Sequence, residues 1–286
     1  MNIVLLVSPE MKQRYVADEL SAVANIVGIV VERRYQSGAR WKTFFKQYGP
    51  APAAIVKNLI LKMLLSRYET KPWRRAERHF LKSGLPPAWP STAAVIEFPS
   101  INDPAVAEKV RAWKPDLIVV FGTSLVGKQL LEIPKTAIIN VHTGISPYYR
   151  GGQCSFWALY NREPEYIGVT IHRITGGIDS GDIIFTHALP LKGDDTHAEI
   201  EARLCILGTA LAKEAIRSFQ KGDVNAVKQW TKGNLFLGRM YTLEKRWELA
   251  GRMKRGLMRE LCAQKGNVTV KTFPPKDFNY HDQEYC

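Results

Sequence analysis

Short apolar runs recur along the chain. Asn2 to Val7 holds IVLLV, Ile26 to Val31 reads IVGIVV, and Asp116 to Phe121 reads DLIVVF. Runs that are apolar at consecutive positions suit strands covered on both faces. Between them lie stretches with helical spacing, Met11 to Ala24 and Pro104 to Trp113. Ala93 to Phe98 reads as a short strand, and Ala137 to Val141 (AIINV) and Gly168 to Ile174 (GVTIHRI) as two more. This alternation predicts an α/β fold: a doubly wound, mostly parallel sheet with helices on both faces.

The pattern is interrupted from Gln36 to about Pro90. Trp41 to Tyr48 is aromatic and basic, and Lys71 to Lys82 is very basic. Between them, Ala53 to Tyr68 has helical spacing, with Ile55, Leu59 and Met63 in one row and Val56, Ile60 and Leu64 beside it. Lys57, Lys62 and Arg67 mark another side. The plain expectation is a helix packed on the sheet domain with a solvated basic face. A membrane-surface contact and a polyanion or diphosphate site are the other readings. SGLPPAWPST then reads as a loop. The whole is expected to be a basic helical insertion, about 36–90, in a sheet domain spanning 1–222. That domain ends with one long helix, Thr196 to Gly222, with Thr196 as N-cap, Glu199 at the third helical position and Gly222 as stop signal. Residues 223–286 form a small C-terminal region with a strand candidate (Ala226 to Trp230), a basic helix (Thr242 to Cys262) and an aromatic, polar tail.

Charge sharpens the interruption. The net charge is +13, and Arg33 to Lys82 carries 13 Lys and Arg against Glu69 and Glu77, or +11 of it. Basicity is thus a property of one surface, which weakens a general nucleic-acid reading. The 286 residues, 45% hydrophobic, are enough for a full core. Cys154, Cys205, Cys262 and Cys286 show no CxxC spacing, so reduced thiols and no zinc site are expected. The opening run stops at Pro9 and Glu10, too short for a secretory segment, and a cytoplasmic location is expected.

Ligands of open α/β sheets bind beyond the carboxyl ends of the strands. Three segments fall there: FGTSLVG (Phe121 to Gly127), NVHTGISPYYRGG (Asn140 to Gly152) and TGGIDSGDII (Thr175 to Ile184). Asn140 and His142, two apart in an extended segment, share a face. An amide can stabilise an oxyanion and an imidazole can move a proton near neutral pH. Asp179 sits in a Gly-rich turn and could orient the histidine or a water. Each also has an ordinary role, as strand-end cap, structural histidine and turn former. Spacing alone supports a polar cluster at a strand end.

NVHTGISPYYRGG resembles the signature of the folate-dependent formyltransferases: Asn-x-His, a loop with Ser and Pro, then Arg-Gly. DLIVVFGTSLVGKQLLEIPKTAIINVH before it and SFWALYNREPEYIGVTIHRITGGIDSGDII after it are similar to the same family, over roughly Pro115 to Ser218. The resemblance implies a Rossmann-like formyltransferase fold, 10-formyltetrahydrofolate as co-substrate and no metal. It places the catalytic roles on Asn140, His142 and Asp179. It implies a folate site of Phe121, Gly122, Thr123, Ser124, Leu125 and Val126 with Thr175, Gly176, Gly177 and Ile178, in which Leu125 and Ile178 form apolar walls. Tyr149, Arg150 and Gly151 are the expected acceptor contacts.

The acceptor is expected to be a small-molecule primary amine. The loop SPYYRGG followed by SFWALYN is similar to members acting on amino sugars attached to nucleotides. A tRNA acceptor is disfavoured: the methionyl-tRNA members carry a further C-terminal barrel, whereas the 64 residues after Gly222 read as partly helical. The start SPEMKQ lacks the Gly-Ser phosphate loop of the glycinamide ribonucleotide members. A hydrolase using the same folate, or a silent binding protein on this fold, are the other classes. A weak membrane-surface contact through the insertion and a homo-oligomer are compatible with the sequence.

Overall fold

A computed structural model of the chain describes residues 1–33, 52–264, 270–276, 278 and 280. Its centre is β1 (Asn2–Val7), buried along nearly its whole length. On one side lie β2 (Asn25–Glu32) and then β3 (Ala94–Phe98); on the other lie β4 (Leu117–Phe121) and β5 (Ala137–His142), all parallel. A short β6 (Tyr149–Gly151) lies outside this sheet. Then β7 (Gly168–Arg173) pairs antiparallel with β5, and β8 (Ile183–Ala188) antiparallel with β7. The expected mostly parallel sheet is therefore present. β8 was not anticipated, because IIFTHA mixes apolar and polar residues without a clean period.

Alternation explains the continuous apolar runs. Ile3, Leu5 and Val7 join the core on one face, while Val4 and Leu6 join the core on the other. The first face packs against α1 (Met11–Ser21) through Tyr15, Val16 and Leu20, and against the long helix from His197. The second packs against α3 (Pro104–Ala112) through Val106 and Val110. Each such aliphatic residue removed from water contributes roughly 1.5–3 kcal/mol. Gly28 in β2 leaves room for Trp113 at the end of α3: a Cβ there would lie 2.2 Å from the indole.

The insertion helix α2 (Pro52–Ala76) extends past the expected Tyr68, through Pro72. It packs on the helical layer, and the face it buries differs from the expected one. Leu65, 1% exposed, meets Leu243 and Ala250, with Leu61 against the same cluster. The row of Val56, Leu59, Ile60 and Met63 points outward. Polar pairs accompany this orientation: Glu69 with Arg246, Lys57 with Glu244 at 3.3 Å and, just past the helix end, His79 with Glu199 at 2.8 Å. The Trp41 to Tyr48 segment lies outside the described residues.

Five further α-helices lie among the described residues. A short α4 (Lys128–Leu131) follows β4, and α5 (Cys154–Asn161) follows β6. The long helix α6 (His197–Lys221) begins where Thr196 accepts a hydrogen bond from the Glu199 N–H and ends at left-handed Gly222, as expected. The expected C-terminal helix is two, α7 (Leu243–Lys254) and α8 (Leu257–Ala263), broken at Gly256 with φ +96°. Of the Ala226 to Trp230 candidate only a bridge from Val227 to Ile183 forms; the strand of this region is β9 (Asn234–Phe236), paired with β6. The outer edge of β8 is covered by that bridge and by Phe273, whose carbonyl accepts from the Thr186 N–H. Among the described residues no helix is long and apolar enough to cross a membrane.

Gly28→Ala should destabilise the fold by about 1–3 kcal/mol through overpacking against Trp113. Urea unfolding checks this: the midpoint should fall with the slope unchanged.

Candidate active site

β5 carries two kinds of residue on its two faces. Ile139 and Val141 belong to the core of the first face, and Ile138 to the core of the second. Asn140 and His142 continue the row of Ile138 past the end of that core. Antiparallel pairing sets Asn140 opposite His172 and His142 opposite Thr170. The β7–β8 connection then folds back, and Asp179, at φ +44°, turns its carboxylate onto this row.

Three segments converge on that carboxylate. One oxygen, Oδ1, lies 3.2 Å from the Asn140 amide nitrogen and 3.4 Å from His172 Nε2. The other, Oδ2, accepts from the Gly151 N–H at 2.8 Å and lies 3.6 Å from His142 Nδ1. Behind it, the Gln229 amide donates to the carbonyls of Asp179 and Gly181, each at 2.8 Å. The structure therefore brings Asn140, His142 and Asp179 together, and adds His172 and Gln229. His172 could have been read from the alternation of GVTIHRI, which puts Thr170 and His172 on one face.

The carbonyl partners define the protons. A carbonyl oxygen can only accept, so His142 donates Nε2–H to the Tyr149 carbonyl, 2.9 Å away, and His172 donates Nδ1–H to the Arg173 carbonyl, 2.8 Å away. The remaining nitrogen of each ring faces Asp179. A proton taken up by either ring would lie against the carboxylate. Burial alone would raise the Asp179 pKa, but the two imidazoles and the Gly151 N–H outweigh it and hold the carboxyl well below the usual range. Cys154 Sγ lies 3.6 Å from His142 Nε2, yet burial pushes its thiol up and keeps it neutral. Gly144 is required by this packing, since a Cβ would fall 2.7 Å from both His142 Nε2 and Cys154 Cβ.

The expected folate loop is braced from below. Glu32, at the end of β2, is buried and accepts from the Ser124 N–H at 2.7 Å, the Ser124 hydroxyl at 2.5 Å and the Ile101 N–H at 3.1 Å. Asn102 donates to the Leu125 carbonyl at 2.8 Å and accepts from the Gly127 N–H at 2.7 Å. Gly122 turns the chain at φ +78°. Leu125 is 64% exposed and free to line a ligand; Thr175, Gly176 and Gly177 are exposed and Ile178 is half-buried. Glu32 and Asn102 were missed because each ends or follows an element without a motif of its own.

Two of the expected contacts need correction. The Phe121 ring is part of the core, so only its backbone is open to a ligand. Tyr149 is fully buried, stacked between Tyr166 and Phe236, with its hydroxyl bonded to Glu163 and Asn161. Its side chain is structural, and its carbonyl holds His142. Arg150 stays half-buried beside the site and reaches the Ile178 carbonyl at 3.4 Å. A cavity of about 310 Å³ opens next to the end of β1, lined by Glu10, Lys12, Trp73, Glu77, Phe80 and Glu201. Glu201 accepts from Ser155, the neighbour of Cys154. Among the described residues no group of three or more His, Cys, Asp or Glu side chains could hold a metal ion.

The family described as "Formyl transferase" matches residues 83–216, a stretch that contains Asn140, His142, His172 and Asp179. Residues 83–216 belong to the formyl transferase family. The chain is 36% identical over 137 residues to the methionyl-tRNA formyltransferase of Anaeromyxobacter dehalogenans, covering 48% of this chain and 44% of that protein. It is 33% identical over 137 residues to the one from Geobacter metallireducens, covering 47% and 43%. The chain spans about half the length of the curated relatives it matches. Solved structures share the fold. The formyltransferase PseJ from Anoxybacillus kamchatkensis aligns with a TM-score of 0.51 at 19% identity, over 92% of this chain and 100% of that one. A 4-N formyltransferase from Francisella tularensis aligns at 0.52 and 17%, over 84% and 77%.

Two outcomes follow from the geometry. Because the folded Asp179 pKa lies below its unfolded value of about 3.9, its contribution to stability is present above that pH and is lost as pH falls toward the folded value. The difference in unfolding free energy between wild type and Asp179→Asn should therefore shrink below about pH 4, as measured by urea titrations across pH. Glu32→Gln should loosen the Phe121–Gly127 loop while the fold survives. Hydrogen exchange should show faster exchange at Ser124 and Ile101 and unchanged protection in β1.

Proposed function

We propose that this chain transfers a formyl group from 10-formyltetrahydrofolate to a primary amine, and that the amine belongs to an amino sugar carried on a nucleotide. The observation that carries the first half is the Asp179 carboxylate held against Asn140, His142 and His172 inside the formyl transferase domain. The amine, as free base, attacks the formyl carbon and a tetrahedral oxyanion forms. The Asn140 amide donates to that oxyanion, and His142 supports it from the same row. As the carbon–nitrogen bond to the folate breaks, the amine proton passes by way of the imidazole and Asp179 to the leaving nitrogen. Asp179 begins and ends each turnover as an anion, so an acid limb of activity above about pH 4 would belong to another group.

The folate lies over the braced Phe121–Val126 loop and the Thr175–Ile178 turn, bonded mainly by backbone groups. Leu125 and Ile178 supply its apolar wall. The acceptor enters from the side of the cavity beside β1. Trp73 offers it a flat apolar face, Glu10, Glu77 and Glu201 can accept from sugar hydroxyls, and Lys12 supplies a cation. The amino-sugar reading is supported by likeness in fold to PseJ, which was solved in complex with UDP-4,6-dideoxy-4-formamido-L-AltNAc and tetrahydrofolate. A second reading, methionyl-tRNA as acceptor, is favoured by the names of the curated relatives and by the basic insertion.

Asn140→Ala should lower kcat about 100- to 1,000-fold, as expected for one oxyanion donor. Steady-state turnover of 10-formyltetrahydrofolate checks it, with nucleotide-linked amino sugars and charged methionyl-tRNA offered in parallel. Turnover that needs the sugar supports the proposal, turnover that needs the tRNA replaces its second half, and turnover without any amine makes the chain a hydrolase. Near-wild-type rates in Asn140→Ala or His142→Ala would remove the site.

A further inference from the structure

The insertion helix presents an apolar face to solvent. Val56, Leu59, Ile60 and Met63 are 55%, 54%, 48% and 54% exposed. Their spacing puts them in one patch, since positions three and four apart share a helix face. The same helix already buries its opposite side, through Asn58, Leu61 and Leu65, so this patch is not the half that holds it to the protein. Farther along the outward face come Arg67, Lys71 and Arg74, all exposed, with Lys57 and Lys62 exposed on the flanks. The helix is thus apolar on its outer face over its first turns and cationic on that face over its last.

We propose that this face of α2 is a docking surface for an anionic lipid bilayer, on which the helix lies in the plane of the headgroups. The four apolar side chains would enter the acyl boundary while the arginines and lysines meet lipid phosphates. Charge selects this occupant over the others. A second copy would set Arg67, Lys71 and Arg74 against like charges. The patch also offers only a few hundred Å², short of the roughly 800 Å² per partner of a stable dimer. A nucleic acid would use the cations but would leave the four apolar residues in water. Docking would hold the chain at a lipid surface through this helix alone. The proposal rests on the exposure and charge of α2, not on the acceptor.

The test is co-sedimentation of the full chain with vesicles of phosphatidylcholine and phosphatidylglycerol in equal parts, at low salt. Wild type should pellet with these vesicles and much less with phosphatidylcholine alone. The double variant Leu59→Asp/Met63→Asp should lose affinity on the order of 10-fold or more. Arg67→Glu/Arg74→Glu should lose a similar factor and flatten the salt dependence. All four positions are exposed, so circular dichroism and thermal midpoint should match wild type, and turnover of a soluble acceptor should be unchanged. Three results would overturn the proposal: no pelleting of wild type, equal pelleting of the Leu59→Asp/Met63→Asp variant, or a wild-type dimer in sedimentation velocity that this variant dissolves. Failure of the formyl-transfer assay would leave the vesicle result untouched.

Discussion

One largely buried negative charge organises the site. The Asp179 carboxylate is shared among a strand amide, two imidazoles and the Gly151 N–H, which come from three separate stretches of chain. A carboxylate taken from water is costly unless its oxygens are satisfied. Here both oxygens have partners, so the turn, β5, β7 and β6 are held in one arrangement. That arrangement is also what the proposed formyl transfer needs: an amide donor and an imidazole fixed beside an anion before any substrate arrives. Removing the charge would free the turn as well as break the proposed proton relay.

The bracing extends to parts of the chain far from the site. Gln229 grips the Asp179 turn from behind, and β9 pairs with β6 so that the Phe236 carbonyl accepts from the Gly152 N–H at 2.9 Å. The boundary expected at Gly222 therefore separates residues that meet at the site. On the far side α2 and the turn that follows it tie the start of α6 to α7 through Glu69–Arg246 and His79–Glu199. It also adds Trp73 to the cavity wall. The insertion thus lines that cavity and also presents an outward face, so one helix joins the proposed acceptor side to the proposed docking surface.

Much of the fold was legible because it obeys simple periods. Runs such as IVLLV can be buried on both faces only in a central strand, and the cap at Thr196 and stop at Gly222 follow local rules. The site was legible to the extent that Asn140 and His142 share a strand face. Asp179 joined them only through the surrounding resemblance, because the fold of a Gly-rich turn depends on what it meets. Glu32, Asn102 and Gln229 were invisible, since each acts on backbone groups that lie 48 or more residues away or in another loop. The orientation of α2 was misread because an apolar row usually faces a core. Here ion pairs and the Leu65 contact fix the opposite face.

The covered edge of β8 bears on how the protein can be handled. Its exposed backbone is matched by Val227 and by Phe273, both beyond the long helix. A version trimmed after Gly222 would keep every strand of the main sheet but leave that border bare. A bare border recruits strands from neighbouring molecules. The C-terminal residues therefore serve as a built-in guard against clumping, and expression of shortened forms is expected to fail by precipitation before it fails by loss of chemistry.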